Sequence, residues 1–179
     1  MQALKQPKPL ELGNATHDQK VAHLRAVALF EDIKESAEAL GALAMIWEER
    51  VYAPNRKIIE EGAASDEMFI LIAGAASVYK TTPEGDVFKV AILLSENHAF
   101  FGEGGLVDAE VRSATIKSDT ECHCLVLSRG AFQEFGKLHP EWTLPFFQRI
   151  TSMVMGRLRK TNGDLLVLYC ALLAEIRGH

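Results

Sequence analysis

Phe100 to Gly105 read FFGEGG, and Arg112 stands nine positions after the glutamate at 103. Glycines at 102, 104 and 105 permit a tight turn whose main chain a ligand can approach closely. If that turn leads into a short helical turn, its free N–H groups converge on one spot and suit an anion such as a phosphate. Arg112 follows the connector VDAEV, and a chain folding back there can aim its planar guanidinium at two phosphate oxygens. A carboxylate repels a phosphate, so Glu103 is expected to serve another part of the ligand, such as a sugar hydroxyl. The plainer alternative on spacing alone is a glycine turn with a Glu–Arg ion pair.

Such a turn needs strands to hold it, and the middle of the chain supplies them. From Tyr52 onward, RKIIEEG, MFILIAG, AASVYK, DVFKVAILL, RSATIKS and CHCLVLS are short β-like runs. The breaks GAASDE, AGAA, TTPEGD and SDTE carry the Gly, Pro, Asp and Ser that turns require, which points to a compact barrel or roll. Helical spacing flanks this region. VAHLRAVALFEDI and SAEALGALAMIWEERVY repeat apolar residues every three or four positions, with Ser36 as a helix start.

After Leu127 the pattern is again helical, first in SRGAFQEFGKLHP. Phe147, Ile150, Val154 and Leu158, then Leu165, Leu168, Leu172 and Ile176, form an apolar stripe. Asn162-Gly163 either ends one helix, with Asp164 capping the next, or lies inside a single long one. The segment DLLVLYCALLAEI must bury its apolar face against the barrel or against a second copy, and a homodimer is expected. The expected division is a flexible lead-in over 1–19, a ligand-binding domain over 20–138, and a C-terminal helical lid and dimerisation region over 139–179.

The 179 residues hold one domain with helical arms, and 48% apolar with 24% charged residues is ordinary globular usage. A net charge of −5 disfavours a nucleic-acid surface, which needs clustered Lys and Arg. Neither a signal peptide nor a membrane-spanning run is read, so the cytoplasm is the expected compartment. Three cysteines without an export signal imply reduced thiols. In CHC, a strand puts Cys122 and Cys124 on one face and His123 on the other, so no metal site is expected. Histidines 17, 23, 98, 123, 139 and 179 are scattered, and neither a nucleophile elbow nor a Walker loop is found. No catalytic residue is assigned and no enzyme activity expected; a cupin-like metal-dependent enzyme is the weaker alternative.

FGEGGLVDAEVRSAT resembles the phosphate-binding cassette of the cyclic nucleotide-binding domain family, with Glu-Gly-Gly-Leu and Arg-Ser-Ala as its halves. LFEDI, YAPNRKIIEEG, MFILIAGAASVY and VLSRGAFQEF match the family pattern in order, so the resemblance covers about Leu24 to Leu158. It implies a mainly β fold with flanking α: a β-roll of the double-stranded β-helix, jelly-roll-like type, with N-terminal helices and a long C-terminal helix or helices. It implies cAMP or cGMP as ligand, cAMP favoured, with no further cofactor. Glu103 resembles the acid that binds the ribose 2′-hydroxyl, Arg112 the arginine that binds the cyclic phosphate, and Gly102 and Ser113 resemble backbone donors. Phe101, Gly104, Gly105, Leu106 and Ala114 complete the cassette wall, with the purine beneath a helical lid. Two residues depart from the pattern: Gly104 stands where many members carry a bulkier apolar residue, and Val111 where a proline is common. The implied role is a sensor that signals through its C-terminal helices to a protein effector, without a DNA-binding domain; the alternative is a non-responsive roll serving as an interaction module.

Overall fold

The run MFILIA is apolar without a break, and CHCLVLS is broken only by His123 and its final Ser128, because the strands they form are largely buried on both faces. The computed structural model describes residues 11–12, 15–107 and 111–177; most of the lead-in and connector residues 108–110 lie outside it. Strands β4 (Glu67–Ala73) and β9 (Cys122–Ser128) pair antiparallel, with Phe69 opposite Val126 and Leu71 opposite Cys124. Along them Met68, Ile70, Leu125 and Leu127 enter a core shared with the helices, while Phe69, Leu71, Cys122, Cys124 and Val126 fill the interior of the roll. Period-two alternation thus splits one apolar run between two cores.

Among the described residues, one sheet runs β1-β2-β9-β4-β7 and the other β3-β8-β5-β6, in the antiparallel β-roll arrangement. Its members are β1 (Glu11–Leu12), β2 (Glu48–Tyr52), β3 (Lys57–Ile59), β5 (Ala75–Thr81), β6 (Val87–Leu94), β7 (Phe100–Phe101) and β8 (Thr115–Ser118). The helical reading of 36–52 holds only in its first half. Ser36 caps α2 (Ala37–Ala44), accepting from the Ala39 amide at 3.1 Å, and the chain is β2 by Glu48. The ladder of β2 to β9, Glu48 opposite Val126 through Tyr52 opposite Cys122, overrides the local spacing.

Helix α1 (His17–Ala26) opens with a capping box between Thr16 and Gln19. After α3 (Gly104–Val107) and α4 (Arg129–Leu138), α5 runs unbroken from Pro140 to Arg177, with Asn162-Gly163 inside it. A mid-helix glycine costs about 1 kcal/mol against alanine, which the remaining turns outweigh. Only the first part of α5 is anchored: Phe146 stacks on Phe30 at 5.5 Å and Arg149 Nη2 meets Asp32 Oδ1 at 2.7 Å. Beyond Ile150 the apolar stripe is exposed in the single chain at Val154, Leu158, Leu165, Leu168, Leu172 and Ile176, so the roll does not cover the 164–176 segment.

Candidate functional site

Strand β7 sets the glycine turn in place. Phe100 and Phe101 pair with Ile70 and Phe69, and the Phe69 and Phe101 rings stack at 5.3 Å. Gly102 then takes φ +75°, and the Gly105 and Leu106 amides donate to the Gly102 and Glu103 carbonyls at 3.0 and 3.1 Å to wind α3. A side chain at Gly102 would be strained and crowded, since a Cβ there would lie 2.9 Å from Arg112 Nη1. At Gly105 a Cβ would come within 2.8 Å of the same nitrogen and 2.9 Å of the Glu67 carbonyl oxygen. At Gly104 it would meet nothing within 4 Å.

Arg112 reaches this turn from a position before β8 rather than within it. Its amide donates to Ala63 O at 2.9 Å and its carbonyl accepts from the Gly62 amide at 2.8 Å, which pins the backbone. Arg112 as a whole is 7% exposed. Nη1 donates to Gly102 O at 2.9 Å; Nη2 donates to Ser65 Oγ at 2.8 Å and to Glu67 O. Nε is buried without a partner. Burial lowers the pKa of the group, and Glu67, Asp66 and Glu103 offset this only in part, so an anion alongside would stabilise the charge.

Glu103 is paired with Arg157, which arrives from α5. Arg157 also lies 5.7 Å from the centroid of the Phe100 ring, a cation–π contact. Ser113 is exposed and its carbonyl accepts from Lys80 Nζ, which also meets Glu61 Oε1 at 3.0 Å. One cavity of about 460 Å³ gathers Phe101, Gly102, Glu103, Gly104, Gly105, Arg112, Ser113 and Ala114. Leu106 is the exception: it is 3% exposed and points into the helix-side core, holding the turn down rather than walling the cavity. The opposite wall, unread in the sequence, is Ile59, Val78, Leu93, Ile116 and Val154. Arg157 and Val154 were also missed as site residues; their three-residue spacing on one helix face was the available signal.

Elsewhere, Cys122 and Cys124 are buried while His123 Nδ1 meets Glu49 Oε1 at 2.7 Å on the other face, as alternation predicts. Among the described residues no cluster of three or more His, Cys, Asp and Glu is arranged to hold a metal ion, and no helix is long and apolar enough to cross a membrane.

A β-roll whose glycine turn and buried arginine open onto one cavity has the architecture of a small-molecule-binding domain. Residues 49–139 match the family described as the cyclic nucleotide-binding domain, and the chain belongs to that family. It is 28% identical over 153 residues to human cGMP-dependent protein kinase 2, which covers 85% of this chain and 19% of the kinase. It is 32% identical over 114 residues to the cAMP-dependent protein kinase regulatory subunit of Aspergillus fumigatus, covering 63% of this chain and 25% of that protein. The chain thus spans a quarter or less of these two relatives. The fold is shared with the Thermus thermophilus catabolite activator protein, at a TM-score of 0.69 and 21% identity over 78% of this chain and 62% of that one.

Proposed function

We propose that this chain is a cytoplasmic cyclic nucleotide sensor that takes cAMP in preference to cGMP and passes its occupancy through α5 to a protein effector. The observation that carries this reading is the opening of Arg112 and Glu103 onto one cavity with Arg157 of α5 laid across the carboxylate. Arg112 binds the cyclic phosphate, Glu103 accepts a hydrogen bond from the ribose 2′-hydroxyl, and Gly102 and Ser113 donate from the backbone. Phe101, Gly104 and Gly105 form the cassette wall, and Ala114 is small enough to let the phosphate approach closely. The apolar wall of Ile59, Val78, Leu93 and Val154 favours adenine, which brings fewer exocyclic polar groups to bury than guanine. Ser113 and Arg157 are the polar side chains a guanine would use.

In this reading residues 20–138 bind, 139–179 form the lid and the homodimer seam, and the chain itself catalyses no reaction. Calorimetric titration with cAMP, cGMP and a cyclic dinucleotide tests it. Cyclic mononucleotide should bind, Arg112→Ala should lose at least about tenfold in affinity, and Glu103→Ala should bind more weakly than wild type. An Arg112→Ala protein that titrates like wild type sinks the assignment. A second reading, a roll that no longer answers to nucleotide and acts as an interaction module, is favoured by one observation: the Nη1 and Nη2 groups of Arg112 and the Glu103 carboxylate already have partners in Gly102 O, Glu67 O, Ser65 and Arg157, which leaves Nε alone of the guanidinium unpaired. Absence of heat with all three ligands would select it.

A further inference from the structure

Gly105 is held from two sides by two different arginines. Arg112 lies against its Cα, where a methyl group would come within 2.8 Å of Nη1. Arg129 takes its carbonyl, donating from Nε at 2.8 Å and from Nη2 at 2.6 Å. Arg129 is the first residue of α4, just after the cap Ser128, and its amide donates to Asp66 O at 2.8 Å. Its backbone is thus tied to the approach to β4 while its side chain reaches the cassette turn. Two N–H groups on one carbonyl make a directional grip, so α3 and α4 cannot rotate against each other without breaking it.

Helix α4 in turn packs on the start of α5. Phe132 lies 4.7 Å from Phe146 and 5.4 Å from Phe147, and Phe135 lies 6.1 Å from Trp142, as ring centroids. Apolar contacts of this kind are non-directional and tolerate sliding. The Arg129 fork is therefore the directional link between the turn that would hold the phosphate and α4, separate from the Arg157–Glu103 pair that reaches α5. We propose that Arg129 is a positioning residue that couples the state of the glycine turn to α4 and α5, without itself touching the nucleotide. This rests on the sensor reading above for the identity of the ligand.

Hydrogen exchange on wild type, Arg129→Lys and Arg129→Met tests the coupling, with the amides of β4 and β9 as the control for folding. Lysine keeps the charge but cannot donate twice from one plane. Without nucleotide, both variants should exchange about tenfold faster at residues 102–107, because a charge-assisted bond to a buried carbonyl is gone. With saturating cAMP or cGMP, wild type should gain protection at 102–107 and at 129–150 together. The variants should bind more weakly, gain protection at 102–107, and transmit little of it to 129–150. Variants that carry protection to both segments as wild type does overturn the proposal. If wild type titrates with neither nucleotide, the sensor reading fails separately, and unchanged exchange at 102–107 in ligand-free Arg129→Met then overturns the coupling on its own.

Discussion

Gly104 and Gly105 are neighbours, yet a methyl group on each should act in opposite directions. At Gly104 it enters open space, and Gly104→Ala removes backbone freedom from the unfolded chain and from α3, so the protein should gain about 0.5 kcal/mol and bind cyclic nucleotide more tightly. At Gly105 it collides with the Arg112 guanidinium and the Glu67 carbonyl, so Gly105→Ala should lower the melting temperature and weaken binding by at least about tenfold. Thermal melts and calorimetry on the pair check both signs, and a Gly105→Ala protein that binds normally would contradict the geometry of the turn. At this scale much was legible in the sequence, because the glycines, Glu103 and Arg112 lie within one short stretch and each has a chemistry its type announces. Arg129 and Ser65 were not, since nothing local distinguishes them from surface residues until the fold brings them to the turn.

Between elements, two polar contacts carry measurable consequences. The Arg157–Glu103 pair holds α5 across the cavity mouth, with Arg157 57% and Glu103 14% exposed at the side chain. Exposed pairs of this kind contribute only about 0.2–1 kcal/mol, so Arg157→Ala should speed nucleotide association by no more than about fivefold. Stopped-flow with a fluorescent cyclic nucleotide reads this, and raising the salt should shrink the difference between variant and wild type. An association rate that falls instead would show that Arg157 guides the ligand rather than obstructing it. The second contact joins β2 to β9: the hydrogen bond to Glu49 raises the pKa of His123, aided by Glu121. The stabilisation is fully present below the ordinary histidine value of about 6.5 and fades as pH rises through the raised folded value. His23 on α1 works the other way, because burial and then His98 lower its pKa, so it disfavours folding as pH falls. The melting-temperature gap between wild type and His123→Gln should therefore be widest below about pH 6.5 and narrow above it; a gap that widens with pH refutes this. Element boundaries were the less legible part of the sequence. The helical spacing through Trp47 and Val51 concealed β2, which long-range pairing decides, while the polar pair Asn162-Gly163 suggested a break that α5 does not make.

At the scale of the whole molecule the unresolved force is the apolar face of α5. Leu158, Leu165, Leu168, Leu172 and Ile176 recur at steps of seven, three, four and four residues, and all are at least half exposed. That spacing keeps one seam in line along a helix, which is how paired helices bury leucines in knobs-into-holes contact. A single long helix presenting such a seam to water leaves its apolar surface uncompensated, so a second copy of the chain is the expected cover. The roll is too far along α5 to supply it, since Ile150 is the last residue of the helix that is fully buried. Leu165→Glu with Leu172→Glu puts two like charges on each strand of such a seam and should convert the dimer to monomer in sedimentation velocity at micromolar concentration. Cyclic nucleotide affinity should change little, because both positions lie well beyond Val154 and Arg157, the residues of α5 that line the cavity. The ligand's effect on the far end of α5 should be lost with the dimer, since a lone helix projecting into water has no partner to reposition. A wild-type protein that sediments as a monomer at high micromolar concentration would remove the seam from the mechanism and leave α5 to act through its anchored half alone.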